Sequence, residues 1–168
     1  MSYRIIEREF SDQETMPTVM LANISGTTNV QENLKKMEQI ISIAHEKKVN
    51  ALIFPELTVT GYVWDSSKAA EVKGLLAEGE NSMITTWLNN IRDSMTVGRD
   101  GLGYICYGNC RYKNGDLYNS AFVLSPAFNY QEEDYIYDKV FLTPMERGKV
   151  KFILTRGNGV LGGRSCPV

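Results

Sequence analysis

The sequence predicts an α/β fold that opens with a parallel strand-helix-strand unit. Three observations carry that expectation: an apolar run at Thr18–Ile24, a helical apolar repeat from Val30 to Ala44, and a second apolar run at Ala51–Phe54 halted by Pro55. Two short apolar strands joined by one amphipathic helix form a βαβ unit, whose right-handed crossover makes the strands parallel.

The elements follow in order. Thr18–Ile24 ends in Ser25-Gly26-Thr27-Thr28, a turn composition. Val30, Leu34, Met37, Ile41 and Ala44 then recur at intervals of three and four, which places them on one helical face. Thr28 and Gln31 have capping-box spacing at its start, and Lys47-Lys48 suit the negative end of the helix dipole. After Ala51–Phe54 the crossover sets Pro55 and Glu56 at the carboxyl edge of the second strand, the edge where open α/β sheets hold ligands. A weaker helix is expected over Ser66–Glu78, interrupted by Gly74, and a firmer one over Asn81–Val97 from the repeat Met83/Ile84, Trp87/Leu88, Ile91 and Met95. Leu102–Arg111 reads as a strand, Asn114-Gly115 as a tight hairpin turn, and Leu117–Leu124 as the antiparallel return. Pro126 ends that return, and Tyr135-Ile136-Tyr137 is a short strand ahead of Lys139. Neither a repeat nor a linker divides the chain, so residues 1–168 are expected to form a single domain with an irregular, Gly-rich tail at 155–168.

Composition narrows the function classes. Of 168 residues, 43% are hydrophobic, enough to bury a core and exclude wholesale disorder. Eighteen Lys and Arg against 20 Asp and Glu leave a formal charge of −2, which supplies no field for nucleic acid or an anionic membrane surface. No run approaches the roughly 20 apolar residues of a membrane span, and charges interrupt the first ten residues where a secretory signal would be apolar. A cytoplasmic location is expected, and the sequon at Asn23 carries no weight there. Cys106, Cys110 and Cys166 are too few for a disulfide framework, so free thiols are expected; two of them with the lone His45 fall short of a zinc site, and neither metal nor cofactor is expected. Gly157-Asn158-Gly159-Val160-Leu161-Gly162 fits a dinucleotide fingerprint, yet too little chain follows to form the helix that motif requires.

Two segments could carry chemistry. Glu56 directly follows a strand-ending proline, where partial desolvation would lift a carboxyl group toward the range of a general base. A solvated loop glutamate is the plainer alternative. Lys139 lies seven positions before Glu146, and an ammonium held by carboxylates can stabilise a developing oxyanion. A surface salt bridge is its plainer alternative.

Taken with their surroundings, these segments resemble the nitrilase, or carbon-nitrogen hydrolase, superfamily. The likeness runs from about residue 17 to 150: Ala22-Asn23 on the opening strand, the helix with Asn33, Leu52-Ile53-Phe54-Pro55-Glu56-Leu57 with Gly61-Tyr62, the return Leu117-Tyr118-Asn119-Ser120-Ala121, and the segment Tyr137 to Arg147. The resemblance implies a four-layer α-β-β-α sandwich, of which this chain holds about the first half. It also implies attack on a nonpeptide carbon-nitrogen bond of a small amide, nitrile or carbamoyl substrate by a Glu-Lys-Cys triad. By the same resemblance Glu56 is the general base, Lys139 stabilises the tetrahedral intermediate, and Glu146 is the second glutamate that supports the lysine.

The family's nucleophile follows the lysine at the end of a further strand, in a Gly-x-x-Ile-Cys-Tyr-Asp type of sequence. No such segment follows Lys139, and the chain is expected to stop before it. Cys166 lies two residues from the carboxyl end, between Gly-Gly-Arg-Ser and Pro-Val, and is a poor candidate. Cys106, in Gly-Tyr-Ile-Cys-Tyr-Gly, imitates the motif but precedes Lys139 and belongs to the hairpin, so it reads as a buried structural thiol. The expectation is a carbon-nitrogen hydrolase whose nucleophile is unassigned. The alternatives are a catalytically inactive member acting as a binding or assembly subunit, and an unrelated α/β binding protein. If the second sheet of the sandwich is missing, the uncovered inner face of the first sheet predicts a homo-oligomer.

Overall fold

A computed structural model describes residue 6 and residues 16–63 and 65–147. The predicted tail at 155–168, with Cys166 and the glycine-rich match at 157–162, lies outside the described residues. Five strands form one sheet in the order β1-β2-β3-β4-β5: β1 Val19–Leu21, β2 Ala51–Ile53, β3 Tyr104–Lys113, β4 Asp116–Leu124 and β5 Ile136–Asp138. β1, β2 and β3 run parallel, and β3, β4 and β5 antiparallel.

The helix α1, Val30–Glu46, joins β1 to β2 as expected, and the five apolar residues of its repeat are all buried. Its cap lies one residue later than predicted. Asn29, not Thr28, accepts from the Glu32 backbone N–H, so the cap pair is Asn29 with Glu32, because the asparagine takes the extended backbone a cap needs. α2, Ser66–Ala77, is capped by Asp65 and tolerates Gly74, whose missing side chain faces open space. α3, Met83–Ser94, is capped by Ser82 and is shorter than the predicted span, since a 3-10 turn at Gly79–Asn81 precedes it. The Asn114-Gly115 turn has both residues at positive φ, 53° and 88°, as a two-residue hairpin loop with strand-like twist requires.

Because strand side chains alternate, the sheet has two chemically distinct faces. One bears Leu52, Ile105, Tyr107 and Leu124, which pack with the buried stripes of α1 and α3 into the main core. A second core lies over the hairpin end of the other face, where Cys110 and Leu117 meet Leu57, Val63, Leu142 and the α2 residues Ala69 and Val72. Among the described residues, the rest of that face is only partly covered. Leu21, Ile53, Cys106 and Val123 form one cross-strand row, and Val19, Ala51 and Tyr104 the next. Val19 and Leu21 are 53% and 75% exposed.

Two contacts fix the loops at the carboxyl edge of β1 and β2. Buried Asn33 donates to Thr27 O (2.8 Å) and Val59 O (3.0 Å) and accepts from the Thr27 backbone N–H (2.8 Å), tying the loop after β1 to the loop after β2. Gly61, at φ 69°, touches the same loop so closely that a Cβ would sit 2.1 Å from Thr27 O. We expect Asn33→Leu, which orphans these buried backbone groups, to cost on the order of 2–4 kcal/mol in urea denaturation. A loss within 0.5 kcal/mol would show that the loops are held by something else.

Candidate active site

Pro55 cannot donate to the sheet, and beyond Phe54, whose N–H bonds Cys106 O at 2.8 Å, the chain turns away. The turn is built against β3. Pro55 O accepts from the Gly108 N–H (3.2 Å) and from the Thr58 hydroxyl, and Val59 N–H donates to Gly108 O (3.3 Å). A Cβ on residue 108 would lie 2.4 Å from Glu56 Cα, so only glycine lets the two backbones meet there. Glu56 is thus placed where predicted, at the carboxyl edge of β2. Its side chain is 46% exposed, so it is only partly desolvated.

Lys139 follows β5, and its backbone N–H bonds Asn119 O on β4 at 2.8 Å. Its Nζ lies 3.1 Å from Glu56 Oε2 and 3.0 Å from Glu146 Oε1. The structure therefore brings together the three residues singled out in sequence, across separations of 83 and 7 positions. Glu146 sits on the short helix α4, Pro144–Arg147. Its Oε2 accepts from the Thr143 N–H (2.7 Å) while its own N–H reaches Thr143 Oγ1 (3.3 Å), a reciprocal capping box with proline at the first helical position. The pattern Thr143-Pro144-Met145-Glu146 was a readable signal for that arrangement, and sequence reasoning passed over it.

Two more residues were quoted in sequence only as parts of motifs. Tyr62 donates its hydroxyl to Glu56 Oε1 at 3.1 Å. Asn119, buried on β4, donates its amide to Glu56 Oε2 (3.2 Å) and Glu146 Oε1 (2.7 Å). A lone asparagine in a strand carries no signal that it will meet two glutamates from distant loops.

Charge states follow from these contacts. Burial by itself would lift the Glu146 carboxyl, but the Thr143 N–H, the Asn119 amide and Lys139 outweigh it and hold the group below its ordinary range. Burial would lower the Lys139 ammonium, yet bonds to Glu146 and Glu56 outweigh that and hold it above. Burial, then the bond to Glu56, raises the Tyr62 phenol.

The described thiols are poorly suited to attack. Cys106, expected to be buried, is only partly so, because it lies on the open face of the sheet; burial still raises its thiol. Cys110, opposite Asn119 on β3, is buried and pushed up to about 11 by that burial. Among the described residues no group of three or more His, Cys, Asp and Glu side chains could hold a metal ion, and no helix is long and apolar enough to cross a membrane.

The comparisons with known proteins agree with the fold. A family model for carbon-nitrogen hydrolases matches residues 18–160. A nitrilase from Pyrococcus abyssi is 33% identical over 123 residues, covering 70% of this chain and 43% of its own length. Among solved structures, a double mutant of the amidase from Nesterenkonia sp. AN1 in complex with acrylamide superposes with a TM-score of 0.63 at 18% identity, covering 90% of this chain and 52% of the amidase. A glutamine-dependent NAD+ synthetase from Acinetobacter baumannii gives 0.58 at 20% identity, covering 83% of this chain and 24% of the synthetase. The chain thus spans about half or less of the length of these relatives. With the family model matching most of its residues and the fold matching in parallel, this chain belongs to the carbon-nitrogen hydrolase family.

Proposed function

We infer that the chain supplies the glutamate-lysine part of a site that hydrolyses a nonpeptide carbon-nitrogen bond in a small amide, nitrile or carbamoyl substrate. The observation that carries this reading is the ammonium of Lys139 bridging Glu56 and Glu146 at 3.1 and 3.0 Å. Glu146 is buried, its side chain 6% exposed, and serves as the permanent counter-charge; Glu56, at 46%, stands at the opening where a proton can be exchanged. For an amide, the Glu56 carboxylate takes a proton from a cysteine thiol, and the thiolate sulfur bonds to the carbonyl carbon. Lys139 meets the negative oxygen of the tetrahedral intermediate. The carbon-nitrogen bond then breaks, the amine leaves with the proton held by Glu56, and water hydrolyses the thioester.

Burial raises the thiols of both described cysteines, Cys106 and Cys110, which makes them poor candidates for the attacking group. This reading calls for a cysteine segment of the family's type to complete the site. A second reading, a catalytically inactive assembly subunit, is favoured by the open apolar rows containing Val19, Leu21, Ile53 and Tyr104. On this second reading two copies meet through this face, sheet against sheet.

The chain by itself is expected to release no ammonia from small aliphatic amides. Addition of a polypeptide carrying the family's cysteine segment should restore release, and Glu56→Gln should abolish it by 10²-fold or more. An undiminished rate in that variant would sink the hydrolase reading.

The ion cluster also sets a pH window. Glu146, lowered from an ordinary 4.5, contributes stability that is present above that value and lost as pH falls through its folded value; Lys139, raised from 10.5, contributes stability present below that value and lost as pH rises through its folded value. Glu146→Gln should flatten the acid limb of stability measured by urea denaturation against pH, and an unchanged limb would count against the cluster. Sedimentation at micromolar concentration should give a dimer mass, whereas a monomer would remove the proposed pairing.

A further inference from the structure

We propose that Asn119 is the positioning residue of this site: its one side-chain amide donates to Glu56 and Glu146 together and holds both carboxylates on a single ammonium. The role proposed for it in catalysis rests on the hydrolase reading above, but the geometry does not. Asn119 Nδ2 lies 3.2 Å from Glu56 Oε2 and 2.7 Å from Glu146 Oε1. These are the same two oxygens that Lys139 Nζ contacts. Two donors and two acceptors therefore alternate around a closed ring. The backbone of the same residue accepts the Lys139 N–H at 2.8 Å, so a single position on β4 sets where the lysine leaves its strand and where both glutamates end.

Side-chain chemistry explains why asparagine serves here. Two carboxylates beside one ammonium carry an excess negative charge, and like charges in a partly desolvated site push each other toward protonation. A primary amide has two N–H donors, one for each carboxylate, and adds no charge. Aspartate would bring a third carboxylate, a hydroxyl offers one proton for two acceptors, and leucine fills the space without donating. Both donors of the ring engage Oε2 of Glu56. Oε1, on the Tyr62 side, is then the oxygen left to receive the thiol proton.

The test reads the Asn119 side-chain amide by nitrogen-15 NMR in the full chain, where its two Nδ2 protons give separate resonances. Glu56→Gln and Glu146→Gln each replace a charged acceptor with a neutral one of the same shape. Each is expected to shift a different one of the two protons upfield, and acidification of the unmodified chain should move both. Displacement of the same proton by both variants, or no response to Glu56→Gln, would overturn the bridging role. This readout needs no turnover, so it stands apart from the ammonia assay. Where the completed assembly does turn over, Asn119→Leu should lower kcat at least tenfold with little change in KM, and Asn119→Ser less. An Asn119→Leu enzyme with the original kcat would also overturn the proposal.

Discussion

One ammonium held between two carboxylates is the interaction on which the rest of this structure's chemistry depends. Glu56 comes from the turn after β2, Lys139 from the end of β5 and Glu146 from α4, so the cluster joins the parallel and the antiparallel parts of the sheet. Such a cluster is stable only if the buried member has its remaining lone pairs satisfied, because an unpaired carboxylate away from water is costly. Glu146 meets that condition through the Thr143 N–H and Asn119. The two carboxylates differ in surroundings: Glu146 is shielded and helps hold the lysine's charge, whereas Glu56 is open to solvent.

Placement of the open carboxylate is a backbone matter. The loop bearing Glu56 is pressed on β3 at Gly108, bonded back to it through Pro55 and Val59, and tied to the neighbouring loop by Asn33. These contacts leave the main chain around Glu56 little freedom. The same packing explains the divided core. Helices α1 and α3 pack on one face of the sheet, whereas among the described residues α2 and the Glu56 loop pack on the hairpin end of the other, and Leu21 and Ile53 remain exposed there.

Much of the fold was legible because it is encoded locally. The repeat from Val30 to Ala44 has helical period, the Asn114-Gly115 pair demands a tight turn, and Pro55 must end a ladder. The errors were also local: the cap at Thr28 was misplaced by one residue, and the helix expected over 81–97 runs only from Met83 to Ser94, since several adjacent polar residues could cap and only backbone geometry selects among Thr27, Thr28 and Asn29. Cys106 was expected to be buried because strand thiols usually are, and its partial exposure reflects which face remains uncovered.

By itself, the sequence determined the parallel βαβ opening, the hairpin, the position of Glu56 at the sheet's carboxyl edge, and the chemical types at Lys139 and Glu146. All of these follow from periodicity, from turn residues or from motif composition within a few positions. Only the tertiary structure decided that Asn119 and Tyr62 join the glutamates, that Glu146 is the buried carboxylate and Glu56 the open one, and that one face of the sheet stays partly bare. Those properties depend on desolvation and on hydrogen bonds spanning as many as 83 positions, as between Glu56 and Lys139, and neither is written in the spacing of neighbouring residues.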